Sequence, residues 1–132
     1  MATTEQLVTG VDFVGIPTRD LERAVAFYGE TLGLACSAHR PDRHFAEFEN
    51  GTVTFNVLDP QAMGIGTFQP NSSSVALHVD DVAQARATLE QRGVAFHGDV
   101  VDTGVCHMAF FAEPDGNALM LHHRYAPRTP QT

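Results

Sequence analysis

The sequence predicts an α+β fold made of two β-α-β-β-β modules in tandem. Three observations carry this. Residues 11–35 (VDFVGIPTRDLERAVAFYGETLGLA) and 73–96 (SSVALHVDDVAQARATLEQRGVAF) align, with Asp20 on Asp81, Ala24 on Ala85, Ala26 on Ala87 and Gly33 on Gly93. An internal repeat at an offset of about sixty residues is one supersecondary unit used twice. Each copy passes from a short extended apolar run into a helical spacing of apolar residues. Each then holds a glycine turn between two further extended runs, Asn50-Gly51 in the first and Pro114-Asp115-Gly116-Asn117 in the second.

Residues 11–17 (VDFVGIP) read as a strand. In the helix that follows, Leu21, Ala24, Val25, Tyr28 and Leu32 fall three and four apart and make one apolar stripe. Asp20 suits its N-cap, and Gly33 suits the left-handed position just past its end. Strands are expected near 34–39, 44–49 and 52–58, and Asn50-Gly51 joins the last two as a tight hairpin. In the second copy a strand at 74–80 leads to a helix over 82–92, with Val82, Ala85 and Leu89 inward. Asp81 followed by Gln84 resembles a capping box. Strands near 94–98, 105–112 and 118–124 complete it, and Gly116 supplies the positive φ that the 113–117 turn needs. Module 1 spans about 8–58 and module 2 about 73–126. Between them a linker, about 59–72, is rich in Gly, Pro and Ser. The tail APRTPQT reads as frayed.

The chain has 132 residues and 43% hydrophobic composition, enough for one domain with a real core. Its net charge of −8 argues against nucleic acid and against an anionic membrane surface, since both are bound through Lys and Arg. No apolar run reaches the roughly 20 residues that cross a bilayer. The N-terminus lacks the basic and apolar regions of a secretory signal. Two cysteines, Cys36 and Cys106, are too few for a disulfide scaffold, so a cytoplasmic protein with reduced thiols is expected.

Three stretches resemble the vicinal oxygen chelate superfamily, which includes glyoxalase I, extradiol dioxygenases, fosfomycin-resistance enzymes and bleomycin-binding proteins. They are Asp20-Leu21-Glu22-Arg23-Ala24 running to Leu32-Gly33-Leu34, Val79-Asp80-Asp81-Val82 leading to Gly93-Val94, and Phe110-Phe111-Ala112-Glu113-Pro114-Asp115-Gly116-Asn117. The resemblance implies sheets that curve into a half-barrel cavity, and a homodimer. In the metalloenzymes of that superfamily each first strand offers a ligand about seven residues before the helix-capping Asp, and each last strand offers a Glu. The corresponding residues here are Phe13 and Ser74, then Met120 in the second module. In the first module the last-strand residue is Phe55, or Asn56 if the shorter Asn-Gly turn shifts the register. Phe has no donor atom, neutral Ser is a poor ligand and Met is soft. No metal is expected in the usual site, and no other cofactor is implied.

Attention therefore moves to the histidines, of which there are seven. His78 lies four residues beyond Ser74 on the same strand face, about 13 Å along it. His122 lies two residues beyond Met120, about 7 Å away and on the same face. His107 sits on the neighbouring strand and faces the cavity only if the 113–117 turn sets that register. Convergence of His78, His107 and His122 would give acid–base groups, contacts to a polar ligand, or a displaced metal site. Each also reads as a half-buried histidine bonded to backbone. Glu47 and Glu49 share a strand face and read as solvated. Arg19, Glu22, Arg23, Glu90 and Arg92 read as exposed helix charges. No nucleophile elbow, P-loop or dinucleotide fingerprint is present. The expected ligand-binding set is Phe13, Phe55, Ser74, His78, His107, Met120 and His122. The expected function is a metal-independent binder of a small molecule in an apolar cavity. The alternative is a lyase, isomerase or dioxygenase that uses those histidines.

Overall fold

A computed structural model describes residues 5–128. The elements follow the predicted order. Strand β1 (Phe13–Pro17) leads to helix α1 (Leu21–Ala26), then β2 (Ala35–Arg40), β3 (Phe45–Asn50) and β4 (Val53–Leu58). A short helix α2 (Pro60–Met63) precedes β5 (Val75–His78), helix α3 (Val82–Gln91), β6 (Phe96–Asp102), β7 (Cys106–Ala112) and β8 (Ala118–Arg124). Two open four-stranded sheets result, ordered β1-β4-β3-β2 and β5-β8-β7-β6. In each, the first strand runs parallel to the last and the other pairs are antiparallel.

The helices start where their capping residues dictate. The Asp20 carboxylate accepts from the Arg23 N–H at 3.1 Å, and that of Asp81 from the Gln84 N–H at 3.0 Å. Helix α1 then departs from the regular stripe. Residues 27–31 form a wider turn, with the Leu32 N–H bonded to the Phe27 carbonyl five residues back. One extra residue per turn lets consecutive Phe27 and Tyr28 both point inward, and both are buried. The linker is more ordered than its composition suggests. Asp59 caps α2 by accepting from the Ala62 N–H, Pro60 starts it, and Gly64 ends it in the left-handed region. Strand β6 outruns its predicted end at 98, because Gly98, at φ 70°, sits in a register shift between His97 and Val101 and the pairing with β7 then resumes. The tail expected to be frayed lies largely outside the described residues.

Each helix packs on one face of its own module's sheet. Phe48, Phe55 and Val57 of the first sheet and Phe111, Leu119 and Leu121 of the second belong to one buried cluster with Tyr28 and Leu89. In each sheet the other face turns away from this cluster and is called here its open face.

A buried polar knot joins the modules. Asp115, in the β7–β8 turn, accepts from the Thr18 hydroxyl at 2.5 Å, the Arg19 N–H at 3.0 Å and the Arg23 guanidinium at 2.9 Å. Arg23 is exposed, as its sequence position implied, and is also a structural partner of Asp115. The Asn117 amide donates to the Pro17 carbonyl at 2.8 Å and accepts from the Asn71 N–H at 2.7 Å. Glu113 accepts from the N–H groups of Asp115 and Asn117 and from the Tyr28 hydroxyl. Thr18, Glu113, Asp115 and Asn117 are all buried. Arg92, exposed as expected, donates to the Thr31 carbonyl at 2.7 Å.

Asp115→Ala is expected to cost ~3 kcal/mol, because it leaves buried donors from Thr18 and Arg19 unpaired. Urea denaturation measures this. Burial raises the Glu113 carboxyl pKa above its ordinary value, against N–H donors that lower it. A carboxyl with a raised folded-state pKa binds its proton more tightly when folded. Its contribution is most favourable below the ordinary glutamate range and is lost as pH rises through the raised value. The stability of the native chain relative to Glu113→Gln should accordingly fall as the urea series moves from acid to neutral pH.

Candidate functional site

Strand alternation and register decide which side chains reach the open face. Val14 pairs with Phe55 and Ile16 with Val57, and these face the helices. Phe13, Gly15 and Pro17 therefore face outward, as do Thr54, Asn56 and Leu58 on β4. Glu47 and Glu49 on β3 join them, opposite Asn56 and Thr54. In the second sheet Met108 pairs with His122 and Phe110 with Met120, while Ala109, Phe111, Leu119 and Leu121 turn to the core. Met108, Phe110, Met120, His122 and Arg124 thus share the open face with Ala76 of β5.

This placement splits the predicted set. Phe13 is on the open face and 58% exposed. Met120 and His122 are there and half-buried, and half-buried Ser74 immediately precedes β5. Phe55 is not there: it is 2% exposed in the core, with its ring edge-on to Tyr28 at 6.1 Å. The two-residue Gly51-Thr52 turn, with Asn50 still paired to Val53, sets the register that brings Asn56 outward instead. His107 is also on the other side, because it pairs with His123 while Met108 pairs with His122. Its Nε2 lies 3.4 Å from Asp102 Oδ2, and its ring stacks on Tyr125 at 4.8 Å. His78 is level with His122 in register, but its side chain turns to Asp80, 3.4 Å away, and to the His123 ring at 5.8 Å. The three histidines do not come together.

The electrostatics of the open faces differ between the modules. The first carries acid. Glu49 accepts from the hydroxyls of Ser37 at 2.5 Å and Thr54 at 2.8 Å, and these bonds, Ser37 first, lower its pKa. The second carries thioethers, an aromatic ring, one imidazole and one guanidinium. Arg124 and Asn56 were not singled out from the sequence as site residues in their own right. The signal for Arg124 was available, since it continues the alternation of Met120 and His122. Four cavities of about 250, 330, 340 and 350 Å³ lie at the module junction, at the helix ends, beside the start of α3 and beside β5. None of these four includes Phe13, Met120 or His122. The sheets themselves are open, not closed into barrels.

Residues 10–121 match the model of the Glyoxalase/Bleomycin resistance protein/Dioxygenase superfamily. The chain belongs to this superfamily. Solved structures agree in fold. A glyoxalase family protein from Bacillus anthracis superposes with a TM-score of 0.78 at 20% identity, covering 92% of this chain and 99% of that one. An antibiotic binding protein from Streptomyces gives 0.75 at 27% identity, covering 91% and 99%. A lactoylglutathione lyase from Agrobacterium tumefaciens gives 0.72 at 18% identity, covering 87% and 93%. A search of curated proteins returns no match.

In this member of the superfamily the metal-ligand positions implied by the resemblance hold Phe13, Asn56, Ser74 and Met120. A catalytic divalent site draws on three nitrogen, thiolate or carboxylate donors plus water. The residues present supply a phenyl ring, an amide, a hydroxyl and a thioether, which do not fit. Among the described residues no three His, Cys, Asp or Glu side chains are grouped to hold an ion elsewhere.

The two phenylalanines separate core from surface. Phe55→Ala should cost about 3–5 kcal/mol, the range for a fully buried phenylalanine. Phe13→Ala should cost less than ~1 kcal/mol, because little of its surface is removed from water. Urea midpoints of the two variants test the assignment.

Proposed function

We propose that this protein binds a small molecule on the open face and does so without a metal ion. The carrying observation is the set of side chains at Phe13, Asn56, Ser74 and Met120, where donors for a divalent cation would stand. Met108, Phe110 and Met120 offer an adaptable apolar floor. Thioethers follow ligand shape easily and make favourable contacts with aromatic rings. His122 and Arg124 supply donors beside that floor, the usual division of labour in a small-molecule site. The 27% identical Streptomyces relative, described as an antibiotic binding protein, supports the binding reading over the enzymatic one. The acid–base alternative rests on three convergent histidines, and only His122 remains on the open face with its ring unturned.

The assembly is proposed to be a homodimer. Leu7, Val8, Val11 and Phe13 are 93, 73, 62 and 58% exposed, an apolar run that a second copy would cover while closing the open face. A cytoplasmic setting suits the two free thiols, Cys36 exposed and Cys106 buried. No helix among the described residues is long and apolar enough to cross a membrane.

Elemental analysis after incubation with Fe²⁺, Zn²⁺, Mn²⁺ or Ni²⁺ should find no stoichiometric ion. A near-stoichiometric ion that disappears in His122→Ala would refute the metal-free reading. In parallel, a thermal-shift screen of small aromatic and carbonyl compounds should give protection, since a ligand of the native state raises the melting temperature. Met120→Glu should abolish that protection.

A further inference from the structure

Buried polar atoms in native proteins almost always have hydrogen-bond partners, and an exception costs about 1–3 kcal/mol. Among the described residues two buried side-chain atoms lack one: Asn56 Oδ1 and Arg124 Nε. They come from different modules, and each belongs to a side chain on the open face of its own sheet.

Arg124 is the more informative. The chain carries 16 acidic residues against 8 basic ones, so an arginine here has carboxylates to spare. Arg19 and Arg23 pair with Asp115, Arg40 with Asp42 and Arg86 with Glu90. Arg124 is half-buried, yet no carboxylate among the described residues lies within ion-pair distance of it. Its one polar contact is weak, from Nη1 to the Cys106 sulfur at 3.9 Å. A half-buried guanidinium whose Nε–H is buried and unpartnered suits a planar anion, since carboxylates accept pairs of parallel bonds from such a group. His122, two residues back on the same face, adds a further donor about 7 Å along the strand. Met108, Phe110 and Met120 adjoin on the side away from the strand end.

We infer that the ligand of this face of the second sheet is an organic acid with an apolar body, its carboxylate held by Arg124 and its body lying along β7 and β8 toward Met108 and His122. This rests on the open face being the binding face and adds the charge and polarity of what binds there.

The probes are benzoate, phenylacetate and phenylpropionate, each beside its primary amide, which keeps size and shape but not charge. Affinity is read from the dependence of melting temperature on probe concentration in the native full-length protein. At least one acid should bind about tenfold or more tightly than its amide, the discrimination of a charge-assisted bond. Arg124→Gln should erase that preference, whereas Arg92→Gln should leave it intact. Without any probe, Arg124→Met should melt no lower than the native protein, since it removes an orphaned donor. A purely structural arginine would give a lower melting point instead. Equal protection by acids and amides, or an acid preference that survives Arg124→Gln, overturns this inference and leaves the metal-free binder standing. Absence of protection by every acid overturns it as well. A stoichiometric ion lost in His122→Ala would instead bring down the reading beneath it.

Discussion

One buried carboxylate sets the relation between the two halves of this molecule. Asp115 gathers donors from Thr18, Arg19 and Arg23, all contributed by the first module. Each half could in principle form its own sheet and helix. Which side of one faces which side of the other is decided where the β7–β8 turn seats on the end of β1. The core residues of both sheets then join in one buried cluster. Glu113 and Asn117 stiffen the same turn through backbone N–H groups and the Pro17 carbonyl, so the anchor arrives preformed. Burying this much charge is tolerable because every acceptor finds a donor.

Seen from their open faces, duplication has produced two unlike surfaces. The pleat is the same in both modules, and corresponding positions can be matched strand by strand. The first module presents Glu47, Glu49 and Asn56, and the second presents Met108, Phe110, Met120, His122 and Arg124. The proposed binding role rests on this asymmetry and not on the shared fold, since a fold of this kind hosts many unrelated activities.

Much of this was legible in the sequence, for identifiable reasons. The aligned Asp20 and Asp81 are real caps, and the two glycine turns end the strands where expected. What stayed hidden depended on contacts distant in sequence or on register. Asn50-Gly51 signals a hairpin, but whether Phe55 or Asn56 faces outward depends on which strand residues that turn sets opposite each other. His107 failed for the same reason: one step of register moves a side chain across the sheet. Phe27 escaped the predicted stripe because a widened turn breaks the period of 3.6 residues. Arg23 looked like a solvated helix charge because its partner lies 92 residues away. The orphaned Asn56 and Arg124 atoms leave no trace in a sequence, since a missing partner shows only after every other group has been placed.

The junction between the modules is not built alike at its two ends. At the end of β1 it is tied by the Asp115 knot. At the corresponding end of β5, two cavities of about 250 and 350 Å³ adjoin Asn50 and His78, and Arg92 reaches the Thr31 carbonyl beside the first. The duplicated units therefore meet through unlike seams: one is filled with charge and hydrogen bonds, the other leaves volume unfilled.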